Sequence, residues 1–259
     1  MSLEISLTGR VGTIELNRPG RMNALTVDLA GSLGSAAAAL VEQGARALVL
    51  AGRGPAFCAG ADLALVDQAL AGEPAPVLTP LVEGLHASLK RLRRLPVPLV
   101  AAIEGPAVGA GMGLALCADI RVLAESARLI PGYMGIGSSP DGGVSYFLTR
   151  MLGSARALSL LLRNQPVSAV DAAALGLAEP PVPDGSALRA AQELAASLAT
   201  APPLALTRVR ELVDRATVLG LEEQLDLEQQ RVTELWKTHD FTEGVRAFLQ
   251  RRPPEFRGE

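Results

Sequence analysis

Two glycine-rich turns constrain the fold of this chain more than any other feature of its sequence. One turn is Ala59-Gly60-Ala61-Asp62 and the other spans Gly105–Gly113, and each lies between a short apolar run and a helix-like stretch. Backbone N–H groups at the start of a helix are unpaired and carry the positive end of its dipole. Small side chains let a substrate approach these amides, so the pair predicts a hole for one negatively charged oxygen. Either turn alone is more typical of a tight strand-to-helix connection.

Composition narrows the class of protein. The chain has 259 residues, of which 49% are hydrophobic and 3% aromatic, which favours helices packed closely on a sheet. A net charge of −3 argues against nucleic-acid binding. Cys58 and Cys117 stand apart, so we expect a reducing compartment and no disulfide framework or metal site. With no membrane-length apolar run and no signal-peptide pattern, a soluble cytoplasmic protein is the expectation.

The hydrophobic pattern predicts strands mainly in the first half of the chain and helices in the second. A β-hairpin is predicted at Leu3–Leu7 and Val11–Leu16, followed by strands at Ala45–Leu50, Leu99–Ile103 and Ile120–Ala124. Helices are predicted at Val27–Glu42, Leu63–Ala71, Leu78–Leu95, Asp141–Leu152, Ala155–Leu162, Ser168–Leu175, Ser186–Ala199, Pro203–Gly220, Leu221–Trp236 and Thr242–Gln250. This order predicts a mixed α/β core over residues 1–195 and a helical region over residues 196–259.

Short motifs follow one another along essentially the whole chain. They are Leu16-Asn17-Arg18-Pro19, Asn23-Ala24-Leu25, Phe57–Leu63, Pro98–Gly105, Gly109-Ala110-Gly111, Cys117–Arg121, Pro140-Asp141-Gly142-Gly143 and Glu243–Pro254. Each motif is weakly specific, but in this order they resemble the crotonase (enoyl-CoA hydratase/isomerase) superfamily. The resemblance implies a crotonase-like spiral of ββα repeats that carries an acyl-CoA site. It also implies a C-terminal helical region through which subunits associate as a homotrimer or a dimer of trimers.

The same resemblance implies an acyl-CoA thioester substrate, with coenzyme A as part of the substrate and no separate cofactor. Carried onto this chain, the N–H groups of Ala61 and Ala110 would stabilise the thioester enolate. Loss of one such donor typically lowers the rate by about two to three orders of magnitude. The residues expected along coenzyme A are Arg21, Met22, Asn23, Ala24, Ala59, Gly60, Ala61, Asp62 and Leu63.

Three arginines are candidates for the phosphates of coenzyme A. Arg21 is expected to meet a phosphate, as are Arg251 and Arg252 of a neighbouring subunit, because a guanidinium suits phosphate well. An ordinary solvated surface charge is an equal alternative for all three.

The carboxylates decide which reaction is expected. Hydratases of the family use two glutamates, and the matching positions here are Gly113 and Tyr133, which would line the substrate pocket. Hydration needs one group to activate water and one to deliver a proton. Glycine can do neither, and a phenol with a pKa of about 10 is a poor base at neutral pH. Efficient hydration by the usual route is therefore not expected.

Asp141 is the remaining carboxylate in this stretch. It matches an aspartate found in dienoyl-CoA isomerases, in 4-chlorobenzoyl-CoA dehalogenase, where it is the nucleophile, and in phenylacetyl-CoA-type isomerases, the branch with the most similar context. We therefore predict an enoyl-CoA-type isomerase with Asp141 as its acid/base. The alternatives are that Asp141 only caps a helix starting near Gly142, that the enzyme is hydratase-like or a hydrolase, or that the protein binds acyl-CoA without turnover.

Other polar residues receive structural expectations. Asp62 is predicted to cap a helix beside the hole, and Asp119 to pair with a nearby basic group such as Arg121. His86 and His239 are predicted to be structural, and Tyr133 either donates a hydrogen bond in the acyl pocket or lines it. A dinucleotide-binding oxidoreductase and a serine hydrolase are disfavoured, because the chain lacks GxGxxG spacing and a GxSxG motif.

Overall fold

Residues 2–259 form eight β-strands and eleven α-helices in the computed structural model. The strands are β1 (Leu3–Thr8), β2 (Val11–Leu16), β3 (Ala47–Gly52), β4 (Leu99–Ile103), β5 (Pro106–Val108), β6 (Ile120–Leu123), β7 (Arg128–Ile130) and β8 (Val167–Ser168). The helices are α1 (Val27–Glu42), α2 (Leu63–Leu70), α3 (Pro74–Arg94), α4 (Ala110–Cys117), α5 (Val144–Leu152), α6 (Ser154–Arg163), α7 (Ala169–Ala174), α8 (Ala187–Ala199), α9 (Pro203–Arg215), α10 (Leu221–Leu235) and α11 (His239–Gln250).

Two sheets organise the core. The larger has the strand order β1-β2-β3-β4-β6, in which β1 is antiparallel to β2 and the remaining pairs are parallel. Strands β3 and β4 are apolar and almost wholly buried, as expected for parallel strands covered on both faces. The smaller sheet has the order β5-β7-β8. This mixed α/β arrangement confirms the predicted fold class.

The strands of the smaller sheet were absent from the sequence-based prediction. They contain only two or three residues each, which is too short for a periodic pattern to appear. Strand β5 lies within the second glycine-rich turn, which therefore pairs with neighbouring backbone rather than forming an isolated connection.

Several helix boundaries differ from the prediction. Helix α3 begins at Pro74 rather than Leu78, because proline is tolerated in the first turn of a helix, where its missing N–H has no partner to lose. Helix α5 begins at Val144 rather than Asp141. Gly142 and Gly143 precede it with φ angles of 55° and 77°, a left-handed conformation that does not continue a right-handed helix. Helix α9 ends at Arg215, five residues before the predicted end at Gly220.

Helix α3 is anchored to α1 by a buried polar contact. Ser88 Oγ donates a hydrogen bond of 2.6 Å to the carbonyl oxygen of Ala30 and accepts one of 3.1 Å from the N–H of Gly34. Leu85 and Leu89 on the same helix are buried in the core. These contacts fix the position of α3 independently of the half-buried His86 between them.

The C-terminal part of the chain is helical, as predicted. Helix α8 packs on β2, β3, β4 and β6 and buries Ala187, Ala191, Ala195 and Ala199, so it spans the predicted division at residue 195. The division into units 1–195 and 196–259 stays a prediction. No helix within residues 2–259 combines the length and apolar character needed to cross a membrane.

Candidate active site

The two glycine-rich turns lie directly against each other. The N–H of Val108 donates a hydrogen bond of 2.9 Å to the carbonyl oxygen of Cys58, and Cys58 forms a parallel bridge with Ala107. A side chain at Gly111 would collide with the carbonyl oxygen of Cys58, so close approach of the two segments requires glycine at this position. This contact sets the distance between Ala61 in the first turn and Ala110 in the second.

The amides of Ala61 and Ala110 are both unpaired within residues 2–259. The backbone on either side of Ala61 is fixed by Leu25, which donates to the Gly60 carbonyl oxygen at 2.7 Å and accepts from Asp62 N at 3.0 Å. Ala110 is the first residue of α4, so its N–H has no acceptor within the helix. A Cβ atom built on Gly60 would lie 3.8 Å from the nitrogen of Ala110. The structure thus brings the two predicted donors together, and their use by a substrate stays a prediction.

Asp62 stabilises the turn that carries Ala61. Its Oδ1 accepts a hydrogen bond of 3.0 Å from Ala64 N and caps α2, as predicted. Its Oδ2 pairs at 2.7 Å with Arg18, which also donates to the carbonyl oxygen of Ala24. The hydrogen bond from Arg18 is the largest cause of a pKa of Asp62 below its usual range. Arg18 had no predicted role, although it lies inside the first motif of the chain.

The two segments expected along coenzyme A are adjacent in the structure, but only some of their residues are exposed. Ala59 N donates to the carbonyl oxygen of Met22 at 2.9 Å, so these two predicted segments are adjacent. Met22 and Leu63 expose 44% and 77% of their surface, as contact residues for a ligand require, whereas Ala24 is buried. Arg21 is exposed at the end of a 3₁₀ turn, Pro19–Arg21. Their contact with coenzyme A stays a prediction.

Two further residues of the predicted coenzyme A group are already engaged within the chain. The side chain of Asn23 is fully buried and donates hydrogen bonds to the carbonyl oxygens of Arg53 and Ala56. Arg252 donates a hydrogen bond from each of its two terminal nitrogens to the carboxylate of Glu243. The side chain of Asn23 would bind a ligand only by exchanging these partners, and the Glu243 carboxylate partly neutralises the charge that Arg252 would offer a phosphate.

Tyr133 and Asp141 form a hydrogen-bonded pair beside the second turn. The Tyr133 hydroxyl donates to Asp141 Oδ1 at 2.9 Å, and its ring lies against Gly109, where a built Cβ would be 3.8 Å from the ring. Burial, with the nearby charge of Asp141, raises the pKa of Tyr133 well above its usual value. Tyr133 therefore remains a hydrogen-bond donor, and its place in an acyl pocket stays a prediction.

The carboxylate of Asp141 is not a helix cap. Helix α5 has Gly143 at its N-cap position and no side-chain hydrogen bond to its first amides. The main-chain oxygen of Asp141 accepts from Val144 N at 3.1 Å, while its carboxylate faces Tyr133. The alternative that Asp141 serves as a side-chain cap is wrong, because two left-handed glycines separate it from the helix.

The backbone of Gly142 occupies the space beside Gly113. A Cβ atom at Gly113 would overlap the carbonyl oxygen of Gly142, and a Cβ at Gly142 would lie 3.4 Å from Ala110 Cα. A glutamate at position 113 is sterically excluded with this backbone. Gly113, the position predicted to match one of the two hydratase glutamates, therefore has no room for that side chain.

His86 lies behind the same loop. Its Nε2 accepts a hydrogen bond of 3.2 Å from the N–H of Gly142. His86 and Gly143 also line a cavity of about 800 Å³ bounded by α3, α5 and α9, whose lining includes neither Ala61 nor Ala110. Sequence reasoning gave His86 only a general structural role, because nothing in the local pattern of α3 indicates a partner in a distant loop.

Asp119 pairs with basic groups, as predicted, but Arg121 is not its hydrogen-bond partner. It binds Arg93 at 2.7 Å and Arg210 at 3.0 Å, whereas Arg121 donates to the carbonyl oxygens of Leu177 and Ala118. Arg121, on β6, is engaged by these two main-chain oxygens, whereas α3 and α9 supply the two arginines that bind Asp119. Asp119 therefore links α3 to α9 through Arg93 and Arg210.

The chain is similar to known proteins along almost its whole length. The family model described as enoyl-CoA hydratase/isomerase matches residues 7–259. The chain is 37% identical over 251 residues to the 1,2-epoxyphenylacetyl-CoA isomerase of Escherichia coli, covering 96% of this chain and 95% of that protein. It is also 37% identical over 257 residues to a protein of Rhodobacter capsulatus named probable enoyl-CoA hydratase, covering 99% and 98%.

Solved structures show the same fold. The crystal structure of an enoyl-CoA hydratase from Polaromonas superposes with a TM-score of 0.92 at 34% identity, covering 98% of this chain and 99% of that one. An enoyl-CoA hydratase structure from Bacillus anthracis superposes with a TM-score of 0.91 at 30% identity, covering the whole of both chains. The chain belongs to the enoyl-CoA hydratase/isomerase family of the crotonase superfamily.

Proposed function

We propose that this protein is an enoyl-CoA-type isomerase in which Asp141 is the acid/base and the amides of Ala61 and Ala110 stabilise an enolate. The observation that carries the proposal is the Asp141 carboxylate, held by Tyr133 beside the start of α4 while Gly142 fills the place of a second carboxylate. One carboxylate is sufficient to move a proton between two carbons of one substrate.

One carboxylate and two amide donors are sufficient for the proton transfer. The Asp141 carboxylate removes a proton from the α carbon of a 3-enoyl thioester, and the electron pair is delocalised onto the thioester oxygen. The N–H groups of Ala61 and Ala110 stabilise the charge on that oxygen. The protonated carboxyl group of Asp141 then returns the proton to the γ carbon, which yields the 2-enoyl thioester.

Asp62, the other carboxylate close to the paired amides, is less suited to this role. Both of its oxygens have partners, Arg18 and Ala64 N, and its pKa is lowered mainly by Arg18. A carboxylate stabilised as an anion is a weaker base for a carbon-bound proton.

The names of the relatives support either an isomerase or a hydratase, so the choice rests on the acids. Hydration of a 2-enoyl thioester by the family route needs two groups, and positions 113 and 133 hold glycine and a protonated phenol. A hydrolase or a protein that holds acyl-CoA without turnover are outcomes that the following experiment distinguishes.

The test compares wild type with Asp141→Asn on a panel of 3-enoyl, 2-enoyl and saturated acyl-CoA thioesters. We expect wild type to convert 3-enoyl into 2-enoyl thioesters and to exchange the α proton in D₂O, followed by NMR. Asp141→Asn should lower kcat by about 10²- to 10⁴-fold while retaining thioester binding. Asp67→Asn, an exposed acid on the nearby helix α2, is the control and should behave as wild type.

Other results would point elsewhere. Hydration of 2-enoyl-CoA that persists in Asp141→Asn would indicate a different route for adding water. Release of free coenzyme A would indicate a hydrolase. Binding without turnover or proton exchange across the whole panel would indicate an acyl-CoA-binding protein that is not an enzyme.

We also infer that the chain assembles as a homotrimer or a dimer of trimers through residues 196–259. Apolar side chains on the C-terminal helices are exposed, among them Val213 at 65%, Phe248 at 83% and Leu249 at 74%. Exposed apolar surface of this kind is typical of association sites. Light scattering should give a mass of three or six chains of 26.9 kDa, and a monomer at micromolar concentration would contradict the inference.

A further inference from the structure

The peptide group that joins Asp141 to Gly142 is held at both ends. Its carbonyl oxygen accepts a hydrogen bond of 3.1 Å from Val144 N and lies 3.3 Å from the Tyr133 hydroxyl, whose single proton is directed mainly to Asp141 Oδ1 at 2.9 Å. Its N–H donates to Nε2 of His86 at 3.2 Å. Rotation of this peptide plane would turn the main chain at Asp141 and move its carboxylate.

The orientation of this peptide group also affects the conformation of Gly142, in the loop that precedes α5. Gly142 has a φ of 55°, and its carbonyl oxygen fills the space beside Gly113. A left-handed glycine is flexible unless tertiary contacts fix it, because it has no side chain to restrict its backbone. The imidazole of His86 supplies such a contact from a different element, helix α3.

We propose that His86 is a positioning residue for Asp141, acting through the N–H of Gly142. The inference rests on the proposed function, because it assigns to His86 the placement of the acid/base of that reaction. His86 acts as a hydrogen-bond acceptor, so its imidazole is neutral with the proton on Nδ1. The side chain contributes orientation and does not itself take part in proton transfer to the substrate.

The fold leaves room to test this role. Ser88, Leu85 and Leu89 anchor α3 in the core, so the helix does not need the half-buried imidazole of His86 to stay in place. His86→Leu removes the acceptor. His86→Gln keeps one, since the amide oxygen of glutamine reaches about as far as Nε2 of histidine.

The kinetic experiment measures kcat and KM for 3-enoyl-CoA isomerisation in wild type and both variants. We expect His86→Leu to lower kcat by about 10- to 100-fold with KM within about twofold, because a misplaced catalytic group affects the chemical step more than binding. The kcat of His86→Gln should be at least tenfold higher than that of His86→Leu. His239→Gln, a change of the other histidine of the chain, is the control. Equal losses in His86→Leu and His86→Gln would overturn the proposal, because a role as acceptor predicts a difference between them.

A second measurement does not depend on activity. With only two histidines in the chain, ¹⁵N NMR can assign the His86 ring, and we expect an unprotonated Nε2 and a protonated Nδ1. The Gly142 amide signal should shift in His86→Leu and return toward its wild-type position in His86→Gln. A protonated Nε2 or an unchanged Gly142 signal would overturn the positioning role. Absence of isomerisation in wild type would contradict the proposed function instead, and the NMR results would still decide whether His86 holds the loop.

Discussion

The hydroxyl of Tyr133 donates a hydrogen bond of 2.9 Å to Oδ1 of Asp141, eight residues further along the chain. The tyrosine occupies a position where hydratases of the superfamily are expected to have a glutamate. Here the residue at that position orients a carboxylate rather than supplying one. This relationship joins the missing hydratase acid and the proposed isomerase acid in one local structure.

Tyr133→Phe tests that relationship. Removing a hydrogen bond to a charged group costs about 1.5–3 kcal/mol, so we expect kcat for 3-enoyl-CoA isomerisation to fall by about 10- to 100-fold with little change in KM. Steady-state kinetics measures the effect. Tyr146→Phe, which alters the other tyrosine of the chain at an exposed site on α5, should have wild-type activity. An unchanged kcat in Tyr133→Phe would show that the hydroxyl does not orient Asp141.

Gly113→Ala tests the close contact with the Gly142 backbone. The added methyl group overlaps the carbonyl oxygen of Gly142, so we expect the free energy of unfolding to decrease by about 1–3 kcal/mol and the activity to be lost. Gly31→Ala, in the exposed part of helix α1 with open space around it, should instead stabilise the protein by about 0.5–1 kcal/mol. Urea denaturation followed by circular dichroism measures both changes. Gly113→Glu should not create hydratase activity, and hydration by that variant would contradict the steric exclusion.

The Arg18–Asp62 pair predicts a pH-dependent contribution to stability. Arg18 lowers the pKa of Asp62 in the folded state, so the pair stabilises the fold above the usual aspartate pKa of about 3.9. Its contribution is lost as the pH falls through the lowered folded-state pKa. We expect Asp62→Asn to be less stable than wild type by about 1–3 kcal/mol at pH 7, with the difference shrinking below about pH 4.

Denaturant titrations from pH 3 to pH 7 measure this dependence. Asp67→Asn, at an exposed site on α2, should leave stability unchanged throughout the range. A difference between Asp62→Asn and wild type that stays constant to pH 3 would mean that the carboxylate does not stabilise the turn through its charge.

The two cysteines provide a probe of the junction between the glycine-rich turns. Burial raises the pKa of both Cys58 and Cys117 to about 12, so neither thiol should react with a disulfide reagent in the native protein at pH 8. Both should react after unfolding in guanidinium chloride. In a Cys117→Ser variant, labelling of Cys58 reports on opening of the contact with Val108 and should slow further when an acyl-CoA is bound. Rapid labelling of native Cys58 would show that the two turns separate readily.

Local pattern and motif order were sufficient for the family, the fold class and most of the longer elements. Helix α1 and the first hairpin follow from apolar periodicity, which depends only on residues close together in the chain. The two turns and Asp141 were identified because glycine, proline and carboxylate at fixed spacings indicate particular backbone geometry or chemistry. Their functional roles nevertheless remain predictions.

Tertiary structure alone decided which distant residues meet. His86 and Gly142 are 56 positions apart, and Arg93 and Asp119 are brought together from different elements. Nothing in the periodicity of α3 encodes a partner in the loop before α5, because hydrophobic spacing specifies which face of a helix is buried and not which polar group it encounters. The contact of Gly113 with Gly142 likewise depends on how two backbone segments pack. The amino-acid sequence thus determined the local conformations, while packing over long separations in the chain determined the surroundings of Asp141.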